Sequence, residues 1–410
     1  TTTTTMSNIK EDDTKLFPYN SRIVRLKDED RFQVCLDLRR RRETTTETQT
    51  QTEEDELTQR VPRIGDVTAQ LAVFDGHITN LAAKYAEKHW LEYVFKATEK
   101  EKEETAKEKK RKGGSKPVLR ETSSLEPSDA FGDAEDVLSE EIDFDLEKAL
   151  IRATRDLEKG FKQHGLEEGD ESVHVKRSGC FGTCFGGKQK VPTGGTTVTS
   201  ASIQRGLDTK EGDATFYIVC ASCGDSGALL LPHPNEHDPD DLEVNLRAHK
   251  RLTREHNADD PLEAVRLVQS GCRLGRMQRA DGSEIGPLRA YPGGFAVSRA
   301  VGDFAVPGIT CEPEVTRVKV PKTGARLLVA SDGVFAAISD GDISEICATL
   351  SSSKECADKI IEKVLELRGR HDDITLLIAD IPPPEEYMKL FKATEIKDRL
   401  QVSVARKKKT

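Results

Sequence analysis

The feature that most constrains the fold is an apolar stretch that ends in an acidic turn. Residues 71–74 are four consecutive apolar residues, and Asp75, Gly76 and His77 follow at once. A short run containing Val and Phe indicates a buried strand, and an Asp-Gly pair indicates a turn that ends it. We therefore expect the side chains of Asp75 and His77 at the edge of a sheet.

The same arrangement recurs along the chain. A second apolar run ends in Asp332, and Asp372 and Asp373 directly precede a third. One such turn is most often only a turn, because Asp and Gly favour turns. Several acidic turns at strand ends instead favour a site for a hard divalent cation, which takes oxygen ligands from separate segments. Glu29 and Asp30 form a further acidic pair, although by themselves they are more typical of a solvated charge run.

Length and composition limit the architecture. The chain has 410 residues, of which 36% are hydrophobic and 33% charged, so a full core requires the charge to be concentrated outside it. Residues 39–60 and 97–141 are such segments, polar and without sustained apolar periodicity, and we interpret them as insertions. We predict an N-terminal extension over residues 1–20, a domain over residues 21–381 and a charged tail over residues 382–410.

Charge and cysteine usage limit partners and location. A formal net charge of -10 disfavours nucleic-acid binding, which generally needs a basic surface. No apolar run approaches a membrane span, and the nine scattered cysteines fit a reducing compartment. We predict a soluble intracellular monomer, cytoplasmic or nuclear, with no nucleic-acid or membrane partner. Binding of a protein partner by residues 97–141, and docking or nuclear targeting by the arginines of residues 39–42, stay open as alternatives.

Apolar periodicity predicts the main elements. Helical spacing occurs near residues 81–94, 146–161, 343–350 and 357–365. Strand-like runs lie at residues 23–26, 32–36, 71–74, 197–203, 214–221, 228–231, 315–320, 326–330 and 374–381. Strands that follow one another in sequence favour antiparallel sheets covered by helices. Residues 232–292 are polar, and we predict loop there, with His233, His237, His249 and His256 in solvent.

Six motifs occur in the order seen in one protein family. They are Phe74-Asp75-Gly76-His77, Thr193-Gly194-Gly195-Thr196-Thr197, Gly224-Asp225-Ser226, the block from Gly293 to Asp303, Ala330-Ser331-Asp332-Gly333 and Asp372-Asp373-Ile374-Thr375. In these residues the chain resembles the metal-dependent (type 2C) serine/threonine protein phosphatases. The resemblance implies an α+β fold, a four-layer α/β/β/α sandwich of two antiparallel sheets flanked by helices. It also implies an enzyme that hydrolyses phosphoserine and phosphothreonine in phosphoprotein substrates.

The implied fold brings the acidic side chains into one cleft. An oxygen-only donor set favours Mg²⁺ or Mn²⁺, and we expect two ions. The predicted metal-site residues are Glu29, Asp30, Asp75, the carbonyl of Gly76, Asp332 and Asp372, with Asp30 and the neighbouring Asp373 acting through water. Paired ions would lower the pKa of a bridging water so that it attacks phosphorus directly.

Two further residues complete the predicted site. His77 would donate a proton to the leaving alkoxide. Arg25 precedes Glu29 by four positions, a spacing that the family uses for its phosphate-binding arginine, and a guanidinium matches phosphate oxygens. A simple ion pair between Arg25 and Glu29 is the alternative interpretation.

The chain departs from the family pattern at several positions. Ile78 and Thr79 replace the usual Gly-Gly after Asp-Gly-His, and Gly227 replaces the usual Arg after Gly-Asp-Ser. Val191 stands where many members carry an acidic ligand of a third, weaker metal site, and Asp373 replaces the usual Asn. The alternative function is a catalytically weak scaffold that uses the insertions to bind a phosphoprotein or another partner, although a complete two-ion ligand set favours the enzyme.

Overall fold

A computed structural model describes most of the predicted domain. It covers residues 19–24, 27–35, 67–111, 145–168, 172–176, 188–207, 214–233, 249–368 and 372–386. Arg25, all of the predicted insertion over residues 39–60 and residues 112–141 of the second insertion lie outside this part of the chain.

Two antiparallel sheets of five strands form the centre of the fold. The first contains β1 (Tyr19–Val24), β10 (Gly227–Pro232), β11 (Lys250–Arg251), β16 (Ala325–Ala330) and β17 (Ile374–Ile381), in the order β1-β17-β16-β10-β11. The second contains β2 (Arg31–Cys35), β3 (Val67–Phe74), β8 (Val198–Leu207), β9 (Ala214–Cys223) and β15 (Glu314–Lys319), in the order β15-β9-β8-β3-β2.

Helices cover the outer face of each sheet. Helices α1 (Leu81–Arg111) and α2 (Leu146–Glu168) pack on the second sheet, where Trp90 and Leu150 share a core cluster with Phe74. Helices α4 (Asp332–Phe335), α5 (Asp340–Ala348) and α6 (Ser353–Arg368) pack on the first sheet. The predicted four-layer α/β/β/α sandwich is confirmed.

The second half of strand β3 shows why residues 71–74 form one apolar run. Ala69, Leu71 and Val73 lie in the core between the two sheets, whereas Ala72 and Phe74 lie in the core under the helices. Side chains alternate between the faces of a strand, so a strand covered on both faces is apolar throughout. Burial of each large side chain contributes about 1.5–3 kcal/mol, which fixes the position of the turn that follows.

Helix α1 extends well beyond its apolar pattern. The pattern ends near residue 94, yet the helix continues to Arg111, so the first residues of the predicted 97–141 insertion are helical. Ala97, Thr98 and Glu101 are buried, and Arg152 of α2 pairs with Glu101 at 2.7 Å. This part of the segment therefore packs on the core.

The polar stretch that was predicted as loop contains regular structure. Residues 261–291 form α3 (Pro261–Gln269) and a hairpin of β12 (Arg273–Gln278) and β13 (Glu284–Tyr291). Leu267, Cys272 and Ala290 give this region a small core of its own. The loop prediction is wrong here, because ladder hydrogen bonds and a small apolar cluster stabilise strands whose side chains are largely exposed.

Shorter pairings complete the description. A three-stranded sheet joins β4 (Gly76–His77), β7 (Gly195–Thr196) and β14 (Val301–Gly302), and a hairpin joins β5 (Ser172–Lys176) to β6 (Lys188–Pro192). Within the described ranges, no helix combines the length and the apolar character that a membrane crossing requires.

Candidate functional site

Three carboxylates converge at the ends of three strands. Asp75 follows β3, Asp225 follows β9 and Asp332 follows β16, and each brings an oxygen within 4.8 Å of the other two. Burial raises the pKa of all three, and repulsion from Asp30 and Asp332 raises that of Asp75 further. For Asp225, burial and the charge of Asp332 raise the pKa to about 7. Negative charge concentrated in this way fits a divalent cation, which would neutralise it.

Asp225 was not among the metal ligands predicted from the sequence. The signal was present, because Gly224-Asp225 follows an apolar strand just as Asp75 and Asp332 do. Gly224 has a φ of 119°, and a Cβ there would lie 2.5 Å from Cγ2 of Thr197. The left-handed turn at Gly224 thus needs glycine, and it directs Asp225 toward the other two carboxylates.

A tight turn brings Glu29 and Asp30 to the same site. The buried carboxylate of Asp373 accepts the backbone N–H groups of Lys27 and Glu29 at 2.7 Å and that of Asp30 at 3.1 Å. Asp30 also accepts a 2.7 Å hydrogen bond from the hydroxyl of Thr375. Asp373 therefore anchors the acidic turn, a structural role beside the predicted water-mediated one.

The backbone of this turn lies directly against Gly76. A Cβ at position 76 would be 2.6 Å from the carbonyl oxygen of Glu29, so only glycine admits the turn at this distance. Burial raises the pKa of Asp30 to about 7 and raises that of Glu29 as well. Both carboxyl groups thus add to the negative charge around Asp75, whose pKa Asp30 raises.

Asp372 lies at the rim of the carboxylate cluster. Its side chain is 46% exposed and pairs with Nζ of Lys27 at 2.8 Å, yet its charge raises the pKa of Asp332. The tight triad therefore consists of Asp75, Asp225 and Asp332, with Asp372 beside it. The ligand roles of Glu29, Asp30, Gly76 and Asp372 stay predictions, as does the phosphate-binding role of Arg25, which lies outside the described residues.

His77 is held by a buried aspartate. Its Nε2 atom is 2.5 Å from Oδ2 of Asp303, whose side chain is 0% exposed. Burial lowers the pKa of His77, but the charge and hydrogen bond of Asp303 outweigh it, so that the net pKa is raised. The ring of Phe295 contacts the imidazole edge-to-face, with centroids 5.4 Å apart. The site thus favours a protonated imidazole of fixed orientation.

Glycines make room for this aspartate. A Cβ at Gly195 would lie 2.5 Å from Oδ2 of Asp303, and Gly302 has a φ of 104°. The N–H of Gly302 donates a 2.8 Å hydrogen bond to Glu158 of α2. The Thr193–Thr197 and Gly293–Asp303 motifs therefore act together to place Asp303 beside His77.

The departure at Gly227 is matched by a neighbouring arginine. A Cβ at position 227 would lie 2.6 Å from Nη2 of Arg251 and 2.9 Å from the ring of Phe335. The guanidinium of Arg251 lies 3.7 Å from the centroid of that ring and pairs with Asp340 at 2.7 Å. Arg251, Phe335 and Asp340 line a cleft of about 520 Å³. Arg251 thus occupies the space that a side chain at position 227 would need.

The departure at Val191 removes an oxygen donor from that position. Val191 is fully buried and pairs with Val173 in the β5–β6 hairpin. An aliphatic side chain in this environment cannot coordinate a cation.

His256 is buried, and the prediction that it is solvated is wrong. Its ring is 0% exposed, with Nε2 3.5 Å from Glu314, while Nδ1 accepts the N–H of Gly224 at 3.2 Å. Its own N–H donates to the carbonyl of Gly224 at 2.9 Å. His256 therefore braces the turn that carries Asp225. His233 is also buried, at 9% exposure, whereas His237 lies outside the described residues.

The chain matches a known protein family. A family model described as "Protein phosphatase 2C" matches residues 43–373. The chain belongs to the protein phosphatase 2C family. In this phosphatase 2C chain, β1 and β2 precede the matched segment, yet each pairs within one of the two large sheets. The fold therefore begins upstream of the matched residues.

Two curated relatives are plant proteins. The chain is 32% identical over 222 residues to "Probable protein phosphatase 2C 3" of Oryza sativa subsp. japonica, covering 52% of this chain and 43% of that protein. It is 34% identical over 202 residues to "Probable protein phosphatase 2C 5" of Arabidopsis thaliana, covering 48% and 41%. The chain thus spans less than half the length of these relatives.

Solved structures show the same fold at low identity. A serine-threonine phosphatase 2C from Toxoplasma gondii superposes with a TM-score of 0.52 at 16% identity, covering 88% of this chain and 94% of that one. A C. elegans sex determining protein gives a TM-score of 0.52 at 19% identity, covering 91% and 67%. Both comparisons agree with the four-layer sandwich.

Proposed function

We propose that this chain is a metal-dependent phosphatase that hydrolyses phosphoserine and phosphothreonine in proteins. The observation that carries the proposal is the carboxylate triad of Asp75, Asp225 and Asp332, next to the histidine of the Asp75-Gly76-His77 turn. A cation site and a proton donor are the two requirements for displacing a poor leaving group from phosphorus. Membership of the phosphatase 2C family supports the same activity.

The donor chemistry favours Mg²⁺ or Mn²⁺. The triad would hold the cations, and Glu29, Asp30, Asp372 and the carbonyl of Gly76 would complete the site for two ions. All of these donors are oxygen atoms, which suit hard divalent cations and not zinc. When bound, the cations would supply the charge that lowers the pKa of a water molecule, so that water could attack phosphorus directly without a phosphoenzyme.

The remaining residues control the substrate and the proton. His77 donates a proton to the serine or threonine oxygen as the bond to phosphorus breaks. Asp303 keeps the imidazole oriented and stabilises its charged form before transfer. Arg25, outside the described residues, would bind the phosphate oxygens through paired hydrogen bonds. The roles of His77 and Asp303 follow from their positions at the Asp75 turn, whereas that of Arg25 rests on its spacing from Glu29.

The proposed function also includes the partners, the location and the oligomeric state of the chain. Its partners are phosphoprotein substrates, with neither nucleic acid nor membrane involved, and residues 97–141 are the proposed contact for a protein partner. A cytoplasmic or nuclear location and a monomeric state belong to the same proposal.

Turnover of p-nitrophenyl phosphate with added Mn²⁺ tests the activity. We expect hydrolysis that EDTA stops and that Asp332→Ala reduces by at least about a hundredfold. The control is Asp156→Ala, which removes an exposed carboxylate of α2 that pairs with Lys159. A folded protein that binds Mn²⁺ but hydrolyses neither this ester nor a phosphopeptide would contradict the proposal and favour a scaffold.

A further inference from the structure

Ile78 adopts a backbone conformation that its side chain disfavours. Its φ is 70°, and in the described part of the chain it is the one β-branched residue among three non-glycine residues with positive φ. At a positive φ the Cβ atom lies too close to the backbone, and branching at Cβ increases this steric strain. Glycine would adopt this conformation without strain.

Burial does not compensate for the strain. The residue is 56% exposed, so much of its apolar surface faces solvent. Its neighbours, by contrast, are fixed. His77 pairs with Gly195 in the β4–β7 ladder, and the hydroxyl of Thr79 donates to the carbonyl of Thr193 at 3.2 Å. The surrounding structure therefore imposes the conformation, and folding alone gives no reason for an apolar side chain there.

The position of Ile78 suggests what the side chain contacts. His77 must reach the oxygen that joins phosphorus to the substrate side chain, so the substrate backbone passes close to His77. Consecutive Cα atoms are about 3.8 Å apart, so the exposed side chain of Ile78 starts one residue along the backbone from the proposed proton donor. The ring of Phe295 packs against His77 and adds apolar surface beside it.

We propose that Ile78 is a specificity residue that contacts the substrate residue next to the phosphorylated serine or threonine and selects an apolar side chain there. The inference rests on the proposed phosphatase function. Contact with such a residue removes apolar surface of both partners from water, which accounts for an exposed isoleucine directly after His77. An apolar contact made by one side chain typically changes kcat/KM between two substrates by about tenfold.

Matched phosphopeptides test the inference. One set carries leucine on either side of the phosphothreonine, and the other set carries glycine there. We expect kcat/KM of the unchanged protein to favour the leucine peptides by about tenfold, Ile78→Gly to bring the ratio close to one, and Ile78→Val to retain most of it. The control is Val268→Ala, which alters another exposed aliphatic residue, 55% exposed on α3, and should leave the ratio as it is.

Thermal unfolding provides a second readout. Ile78→Gly should raise Tm because glycine fits the left-handed conformation, so a lost preference cannot be assigned to a damaged fold. A leucine preference that persists in Ile78→Gly, or a lower Tm in that variant, overturns the inference and leaves the phosphatase function intact. Absence of phosphopeptide and p-nitrophenyl phosphate hydrolysis by the unchanged protein overturns both.

Discussion

The Nε2 atom of His77 and the Oδ2 atom of Asp303 lie 2.5 Å apart, although the two residues are separated by 226 positions in the chain. The carboxylate is buried and the imidazole is at the edge of the site, so the pair resembles the base-and-orienter arrangement of many hydrolytic sites. Because Nε2 faces Asp303, Nδ1 is the ring nitrogen that is left to transfer a proton. Asp303 is therefore a positioning residue for His77.

Asp303→Asn should affect substrates according to their leaving group. The amide can still accept the hydrogen bond but no longer stabilises the imidazolium, so kcat for a phosphothreonine peptide should fall by about a hundredfold. For p-nitrophenyl phosphate, whose leaving group is weakly basic, the fall should be less than about tenfold. Steady-state kinetics with both substrates measures the difference. An equal loss for both would point to a displaced cation site instead.

Asp225→Asn should weaken cation binding while it stabilises the cation-free fold. With one negative charge fewer in the triad, the cation-free protein should be more stable by about 1 kcal/mol. The stabilisation by Mn²⁺, about 2.7 kcal/mol for an unchanged site at a hundredfold excess over Kd, should shrink by more than half. Thermal unfolding with and without Mn²⁺ measures both effects. Asp156→Asn on α2 is the control, and an unchanged response to Mn²⁺ in Asp225→Asn would exclude Asp225 as a ligand.

Gly227 and Arg251 should be energetically coupled. Gly227→Ala would force the guanidinium of Arg251 off the ring of Phe335, at a cost of about 1–2 kcal/mol. In Arg251→Ala that clash is relieved, so the double variant should be less destabilised than the sum of the single changes, with a coupling of about 1 kcal/mol. Urea unfolding of the unchanged protein, the two single variants and the double variant measures this coupling energy. If the two changes in unfolding free energy were additive, the position of Arg251 would not depend on glycine at residue 227.

Glu158 should make stability depend on pH. Burial raises its pKa to about 7, although the N–H of Gly302 and the charge of Lys162 lower it. Between about 4.3, the ordinary glutamate pKa, and 7, the folded chain binds more protons than the unfolded chain. The contribution of Glu158 to stability therefore falls as pH rises through this window and stays low above it.

Glu158→Gln removes that dependence and keeps an oxygen acceptor for Gly302. The side chain is partly exposed, so we expect a gain of about 1–2 kcal/mol at pH 8 after screening, and little gain at pH 5. Urea unfolding at the two pH values measures the difference. A gain that grows toward low pH would have the wrong sign.

The sequence predicted the structure best where the local residue pattern matches the burial that the fold imposes. Strands β3 and β17 are apolar along most of their length because both faces are covered, and the acidic turns at Asp75 and Asp332 stand out against them. The two large sheets and two members of the triad were therefore predictable. The third, Asp225, carried the same pattern after β9, but it entered the sequence prediction only as part of the Gly224-Asp225-Ser226 motif.

Features that depend on distant contacts were not predictable. His256 sits among polar neighbours in the sequence, and its burial arises from contacts with Gly224 and Glu314. The hairpin of β12 and β13 lacks alternation because most of its side chains are exposed. The partnership of Asp303 with His77 depends on a close approach of two turns that no local spacing encodes.

One topological feature constrains when the site can form during synthesis. Strand β1 pairs with β17, and Asp373, just before β17, binds the backbone of the turn that carries Glu29 and Asp30. The ribosome makes this turn more than three hundred residues before its anchor. A nascent chain therefore carries the acidic turn without the group that shapes it, and we expect hydrolytic competence to appear only after β17 has left the exit tunnel.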